Sequence, residues 1–175
     1  MKQDQNEDSW FTTMVDFHAL PNDFPGRSVL PLALAALDRV QRLEAALGRD
    51  IVERLDGLPV SRRLIPYIQL HEFEGLLFSE PTGFLEAFPG GQSLVDRLTA
   101  IRMQFSSPED IDDGAATAPS KRILDIAPEY EKPVAGILIA QRIGLAVIRR
   151  ECRHFDDWVA RLLALADIKT IDVLP

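Results

Sequence analysis

Two hydrophobic runs of the sequence end in acidic and histidine side chains. Asp16 and His18 stand at the end of FTTMVDF and just beyond it, and His71, Glu72 and Glu74 follow LIPYIQL. Because ligands of open α/β sheets bind outside the carboxyl ends of the strands, side chains at these ends are well placed for chemistry. Carboxylates at two neighbouring strand ends can converge on one cation, and their oxygens suit magnesium. Asp16 and Glu72 are therefore the candidate metal ligands.

The first pair, Asp16 and His18, is separated by one residue. Alternate residues of a strand share a face, so the two side chains are expected to point the same way. The alternative is that Asp16 caps or braces the following loop and that His18 is a loop residue. A lone Asp-x-His motif is a very weak indication of a functional site, so the structural alternative is favoured.

The second group is the sequence His71-Glu72-Phe73-Glu74, in which His71 could act as a base or as an orienting group. A thermolysin-like zinc motif is not expected, because residue 75 is glycine where a second histidine is needed. Glu72 and Glu74 also fit the first turn of a helix over residues 72–78, where the helix dipole favours acids. The two interpretations are balanced for Glu72, and the helical one is favoured for Glu74.

A compact basic pair, Lys121 and Arg122, follows a long acidic loop, and Lys132 comes ten residues later. Ser120 could cap a short helix while Lys121 and Arg122 contact a phosphate. A solvated helix start explains the same residues equally well.

Composition limits the class of protein further. The single cysteine, Cys152, allows no intrachain disulfide, which favours a reducing, cytoplasmic location. It lacks a second ligand at zinc spacing and is expected to be a small buried hydrophobe at a helix end. No secretory signal is expected at the polar, acidic start. The net charge of −8 argues against indiscriminate nucleic-acid coating, although a local basic cleft remains compatible with it.

The elements that must position these side chains are two strands and several helices. Residues 11–17 and 64–70 are rich in β-branched and aromatic residues, and Pro66 indicates an edge position or a bulge. Apolar periodicity predicts helices over 32–47 (stopped by Gly48), 72–78, 82–88, 92–105, 134–148 and 154–165. The helix over 134–148 is expected to be buried rather than membrane-spanning, and bent at Gly144. Its apolar stripe comprises Val134, Ile137, Leu138, Gln141, Leu145 and Ile148.

Two strands cannot form an independent sheet of useful size, so either further strands escape detection or a partner supplies them. The fold expected is a single α/β domain over 1–175, with a small, strand-poor sheet and a mostly helical C-terminal half. Its parts would be a disordered lead (1–10), a sheet-bearing part (11–80), a helical part (81–165) and a tail (166–175).

Several stretches together resemble one bacterial family. They are TTMVDFHALPNDFPG, IPYIQLHEFEGLLFSEP, APSKRI, the Tyr130-x-Lys132 pair and ECRHFDDW. The pattern is similar to the domain of unknown function 4276 family, which has a Toprim-like fold, over nearly the whole chain, and HEFE is its most specific part. The resemblance implies a magnesium-dependent phosphodiester-cleaving or phosphoryl-transfer site. It also implies an ATPase partner of the ABC/AAA type, as in phage-defence systems.

The same resemblance implies details of the site. Asp16 matches the first aspartate of a Toprim Asp-x-Asp motif, and His18 occupies the second position, which weakens metal binding. The family usually opens with a strand and a Val-Glu-Gly-x-Thr-Glu-like segment before the equivalent of Phe11. The chain is therefore expected to be a shortened or split member that lacks this strand and its glutamate.

Two functions are predicted as alternatives. In the first, the chain is a nuclease-like enzyme in which Asp16 and Glu72 hold magnesium. The other catalytic candidates would be His18, His71 and Glu74, and the phosphate-binding candidates Lys121, Arg122 and Lys132. In the second, the chain is a non-catalytic or truncated family member that serves as a protein-interaction module.

Overall fold

The computed structural model describes residues 9–31, 33–55, 63–111 and 117–171 of the 175-residue chain. Two compact units are distinguished, Met1–Leu70 and His71–Pro175. The predicted lead over 1–10 lies outside the described residues except for its last two. A single domain over 1–175 stays a prediction.

The first unit contains two short parallel strand pairs. Strand β1 (Phe11–Thr12) pairs with β3 (Leu64–Ile65), and β2 (Val15–Asp16) pairs with β4 (Ile68–Gln69). The predicted strands over 11–17 and 64–70 are therefore confirmed in position, but each is interrupted. The fold is the expected small, strand-poor α/β arrangement.

The interruption lies at Pro66, which has no N–H to donate to a ladder. Next to it, the hydroxyl of Thr13 replaces a backbone partner. Its oxygen accepts the N–H of Tyr67 at 2.9 Å and lies 2.9 Å from the Tyr67 carbonyl, to which it donates. A side chain thus bridges the gap between the two strand pairs.

Helix α1 (Ala36–Arg54) covers the second strand pair and buries Val40 and Leu43. It also supplies a polar contact to the strand, because Glu44 accepts the N–H of Ile68 at 2.8 Å. The core of this unit is formed by Phe17, Leu20, Val40, Leu43, Ile68 and Leu70.

The prediction that Gly48 ends this helix is wrong, since α1 continues to Arg54. A glycine inside a helix is tolerated at a modest cost when the surrounding packing is favourable. Here a β-carbon at position 48 would lie 3.6 Å from Pro66 Cγ, an ordinary packing distance. Helix α1 therefore continues through Gly48, although glycine often ends helices.

The described residues of the second unit form helices joined by turns, with short 3₁₀ turns at Pro81–Glu86 and Pro108–Asp110 and a π-helical turn at Lys132–Gly136. Its α-helices are α2 (Glu74–Leu77), α3 (Gln92–Arg102), α4 (Pro119–Leu124), α5 (Ile137–Ile143), α6 (Leu145–Glu151) and α7 (Arg153–Ile171). The helices predicted over 72–78 and 92–105 are shorter than expected, and that over 82–88 is a 3₁₀ turn. Helix α7 runs beyond 165 into the predicted tail.

The short helix α2 lies at the centre of this unit, and all four of its residues are buried. It packs against α4, α5 and the Pro108–Asp110 turn. The Pro81–Glu86 turn packs against α3 and α5, and Gly83 permits the close approach. A β-carbon there would lie 2.6 Å from Ile143 Cγ1, which is too close for any larger residue without movement.

The segment over 134–148 differs from the prediction in its exposed face. It is broken at Gly144, as expected, where the backbone has φ 80°. The predicted buried stripe is wrong at four positions: Val134, Ile137, Leu138 and Leu145 are exposed, and only Ile148 of its aliphatic members is buried. Ile139 and Ile143 face the core instead. Both sides of this helix are apolar, so periodicity alone could not tell the inner side from the outer.

Candidate functional site

Asp16 is the last residue of β2 and lies opposite Gln69 of β4, at the carboxyl end of a parallel pair. It occupies the N-cap position of a 3₁₀ turn over Phe17–Ala19, yet its side chain makes no capping hydrogen bond there. Capping of the following turn is therefore not the role of this carboxylate. Its half-exposed position matches the expected address of a ligand in an α/β sheet.

The prediction that His18 shares a strand face with Asp16 is wrong. The strand ends at Asp16, so the alternation of side chains does not extend to His18, which belongs to the 3₁₀ turn. His18 is exposed, and its ring lies 5.8 Å from that of Phe17.

His71 follows strand β4 by two residues and has an unusual backbone. Its φ of 60° lies in the left-handed region, which non-glycine residues adopt rarely and histidine more readily than most. The side chain is buried. The chain therefore turns sharply at His71, immediately before the two glutamates.

Glu72 precedes helix α2 rather than lying in its first turn, so the helical interpretation is wrong for this residue. Its Oε2 accepts the N–H of Ser120 at 3.0 Å, close to the start of α4. Glu72 thus satisfies one of the amide groups that a helix start leaves without a partner. Within the described residues, Oε1 has no hydrogen-bond partner.

Glu74 does lie in the first turn of α2, and its side chain is only 2% exposed. Oε2 lies 2.9 Å from Lys132 Nζ, and the phenol of Tyr130 donates to Oε1 across 3.5 Å. The approach of Lys132 has the geometry of an ion pair rather than of an aligned hydrogen bond. We call these three residues the Glu74 cluster.

The Glu74 cluster is closely packed. Burial, together with the neighbouring charge of Glu74, raises the pKa of Tyr130 well above its usual value, so the phenol stays protonated and can donate. A β-carbon at Gly136 would lie 2.8 Å from the Tyr130 oxygen, so glycine is needed for the phenol to reach Glu74. Lys132 Nζ also lies 5.9 Å from the ring centre of Phe73.

The three predicted phosphate-binding cations have different surroundings. Lys121 is exposed. Arg122 donates from Nε to the Thr117 carbonyl at 2.7 Å, and its guanidinium lies 5.4 Å from the ring centre of Phe105. Lys132 compensates the charge of Glu74 and is 46% exposed. Arg122 and Lys132 thus both make structural contacts, and that of Lys132 is with a buried carboxylate.

The metal site predicted from sequence stays a prediction, since Asp16 and Glu72 belong to different units. Within the described part of the chain, no group of three or more histidine, cysteine or acidic side chains could hold a metal ion. The donor chemistry nevertheless suits magnesium, which is commonly bound by one or two carboxylates together with water and phosphate oxygens.

The sequence predicts no role for Glu109, which is one acidic residue of the loop before Lys121 and Arg122. In the structure it is buried, and its two oxygens accept the N–H groups of His154 and Phe155, each at 3.0 Å. It thereby caps helix α7 from a turn 45 residues earlier in the chain. The sequence Ser107-Pro-Glu-Asp could have indicated an ordered turn here, because Ser107 and Asp110 form a capping box that positions Glu109.

The prediction for Cys152 is confirmed. The side chain is fully buried at the end of α6, 3.4 Å from the Ser79 hydroxyl, and burial raises its thiol pKa to about 12. Within the described residues, no helix has the length and apolar character needed to cross a bilayer.

The fold and these side chains define a strand-poor α/β protein whose acidic residues follow two parallel strands. The chain belongs to the family described as domain of unknown function (DUF4276), whose model matches residues 1–163. Neither the curated proteins nor the solved structures include a significant match to it.

Proposed function

We propose that the chain is a metal-dependent protein of the phosphodiester-cleaving type, as its resemblance to Toprim-like enzymes implies. The observation that carries this proposal is the position of Asp16 at the carboxyl end of β2, with the partner strand β4 leading directly into His71-Glu72. Side chains at such strand ends are the usual ligand-binding residues of α/β proteins.

The proposed metal-binding carboxylates are Asp16 and Glu72. Glu72 fits this role through one oxygen, since Oε2 accepts the Ser120 N–H and Oε1 is left for another contact. Bound magnesium would position water and balance charge on a phosphate. The backbone turns at His71, with φ 60°, directly before Glu72 and Glu74. Backbone strain of this kind is concentrated at functional sites.

The proposal divides the cations by the partners they already have. Lys121 is exposed and is assigned to phosphate contact, together with the half-buried Arg122, whose Nε already donates to the Thr117 carbonyl. Lys132 and Glu74 compensate each other, so their primary role is to hold the second unit together. Partnership with an ABC/AAA-type ATPase and a role in phage defence rest on the family resemblance alone, and a cytoplasmic location rests on the single cysteine.

The test is cleavage of labelled DNA and RNA by the purified chain, with magnesium or manganese and with EDTA as the control. Asp16→Ala and Glu72→Ala should each reduce the rate at least tenfold. The matched control variants are Asp23→Ala and Glu129→Ala, which remove exposed acids of the same two units. Cleavage that persists in both site variants would overturn the assignment.

A second candidate function, that of a non-catalytic protein-interaction module, is favoured by one observation. The outer side of the helical segment around α5 exposes four large apolar side chains, at Val134, Ile137, Leu138 and Leu145. Exposed apolar surface of this kind is typical of protein contacts. A chain that cleaves neither nucleic acid under any metal condition, but binds a protein through this segment, would favour this second function.

A further inference from the structure

Arg39 is the fourth residue of helix α1, and its guanidinium is stacked on an aromatic ring. Its Cζ lies 4.9 Å from the ring centre of Phe17, which is buried and directly follows Asp16, the last residue of β2. All three residues belong to the first unit. The stacking therefore places the guanidinium at the carboxyl end of β2, where Asp16 also lies.

The guanidinium of Arg39 lacks an acceptor. Its Nε is buried, and within the described residues this atom has no hydrogen-bond partner. Buried donors without a partner are costly, and native proteins contain few of them. The residue as a whole is half-buried rather than enclosed, so a ligand can approach this side chain from outside. An anionic ligand would supply the acceptor that the fold does not provide.

Other arginines of the first unit show the contrast. They donate to acceptors of the chain itself: Arg27 to the Leu20 carbonyl, Arg54 to the Asp50 carboxylate and Arg63 to the Ser9 carbonyl. Stability of the helix does not account for Arg39 either, because the helix dipole opposes a cation in the first turn. Neither a contact within the described chain nor the local helix therefore explains an arginine at this position.

We propose that Arg39 binds a phosphate group of a nucleic acid at the carboxyl end of β2. A guanidinium presents Nε and one Nη in a planar fork that matches two phosphate oxygens. Stacking on Phe17 restricts the plane of the guanidinium, so less freedom is lost when a phosphate binds. The choice of a nucleic acid rests on the proposed function, whereas the unpaired Nε does not depend on it.

The first experiment measures the affinity of the full chain for a fluorescein-labelled single-stranded DNA oligonucleotide, by fluorescence anisotropy in EDTA. The salt concentration is varied from a low value, because a chain of net charge −8 binds nucleic acid weakly at high salt. Arg39→Ala and Arg39→Met should each weaken binding by roughly tenfold. Each should also reduce the slope of log affinity against log salt by about one, because one phosphate contact is lost.

Two further variants separate geometry from charge. Arg39→Lys keeps the charge but not the fork, so it should keep the salt slope and still bind more weakly than the wild type. Arg49→Ala is the matched control, since it removes an exposed arginine from the same helix and should leave both affinity and slope unchanged. Circular dichroism of every variant checks that the fold is retained.

The second experiment separates a binding role from a structural one. Arg39→Met keeps apolar contact with Phe17 and removes the unpaired donor. Its urea unfolding midpoint should therefore equal or exceed that of the wild type. Inorganic phosphate, titrated at matched ionic strength, tests whether a free anion suffices. Binding of inorganic phosphate as tightly as the oligonucleotide would overturn the assignment to a nucleic acid.

Weaker binding and a smaller salt slope in Arg39→Met, at undiminished stability, would support the proposal. A wild-type chain that does not bind the oligonucleotide at low salt would overturn it, as would an Arg39→Met chain that binds like the wild type. Arg39→Lys with wild-type affinity would overturn the bidentate contact. Reduced affinity with an unchanged salt slope and a lower unfolding midpoint would assign Arg39 a structural role instead.

The binding assay contains no metal, so its failure is distinguishable from failure of the proposed function. Suppose that Asp16→Ala and Glu72→Ala abolish cleavage while Arg39→Met binds and cleaves like the wild type. The inference about Arg39 would then be wrong, and the proposed function would stand. Conversely, binding that depends on Arg39 in a chain whose cleavage survives both carboxylate variants would leave the phosphate contact and remove the proposed metal site.

Discussion

The carboxylate of Glu109 lies at the buried start of α7, where it accepts the N–H groups of His154 and Phe155 at 3.0 Å each. The first amides of a helix lack a partner within that helix, and both residues are buried, which limits the access of water to these groups. Glu109→Ala would remove the carboxylate that accepts both N–H groups. We expect this substitution to destabilise the second unit.

The size of the effect follows from these contacts. A hydrogen bond to a charged group contributes about 1.5–3 kcal/mol, and a buried donor left unsatisfied costs about 1–3 kcal/mol. The variant also avoids burying a charge, which offsets part of this loss. The net loss for Glu109→Ala is therefore expected to be about 2–4 kcal/mol. Glu109→Gln keeps one acceptor oxygen and should lose about half as much.

The assay is urea unfolding followed by the fluorescence of Trp158, which lies in α7 with its ring 5.5 Å from that of Phe155. A Trp10→Phe background removes the signal of the first unit. The free energy of unfolding comes from linear extrapolation. Glu129→Ala, an exposed acid of the same unit, is the control and should change it by less than about 0.5 kcal/mol. An equally small change in Glu109→Ala would refute the reasoning.

Further predictions concern pH, packing and thiol reactivity. Burial raises the pKa of Glu109 in the folded state. The stability that this shift contributes is therefore complete below the pKa of the unfolded chain and is lost as pH rises through the pKa of the folded chain. The free energy of unfolding of the wild type should exceed that of Glu109→Gln by more at about pH 4 than at about pH 7. Gly83→Ala should destabilise by about 1–3 kcal/mol in thermal or urea unfolding, because its β-carbon would meet Ile143 at 2.6 Å. Gly48→Ala, where the nearest contact is 3.6 Å, should instead stabilise by about 0.5–1 kcal/mol. Cys152, with a thiol pKa of about 12, should resist iodoacetamide in the native chain and react in urea; rapid native labelling would contradict its burial.

Features that depend on neighbouring residues were predictable from the sequence. The strands over 11–17 and 64–70, the break at Gly144 and the burial of Cys152 follow from β-branched runs, a glycine at a helix boundary and a lone apolar thiol. The interruption at Pro66 also follows, because a missing N–H disrupts any ladder. These features require no knowledge of what lies across the molecule.

Features that depend on distant residues were not predictable. Gly48 does not end its helix, which packs against β4 and continues to Arg54, with Pro66 at ordinary packing distance from position 48. The apolar stripe at Ile137 and Leu138 faces outward, because Ile139 and Ile143 occupy the core. Glu72 and Glu74 are separated only by Phe73, yet one caps α4 and the other pairs with Lys132.

The sequence by itself determined the family, the short supply of strands and the positions of the acidic residues after them, since each of these depends on residue type and local order. Only the tertiary structure decided which carboxylates make structural contacts through both oxygens, as Glu74 and Glu109 do, and which, like Glu72, have one oxygen left for another contact. That decision rests on partners far along the chain, such as Lys132 for Glu74 and the amides of α7 for Glu109. A buried charge requires a compensating group in space, and the order of residues alone does not specify which group that will be.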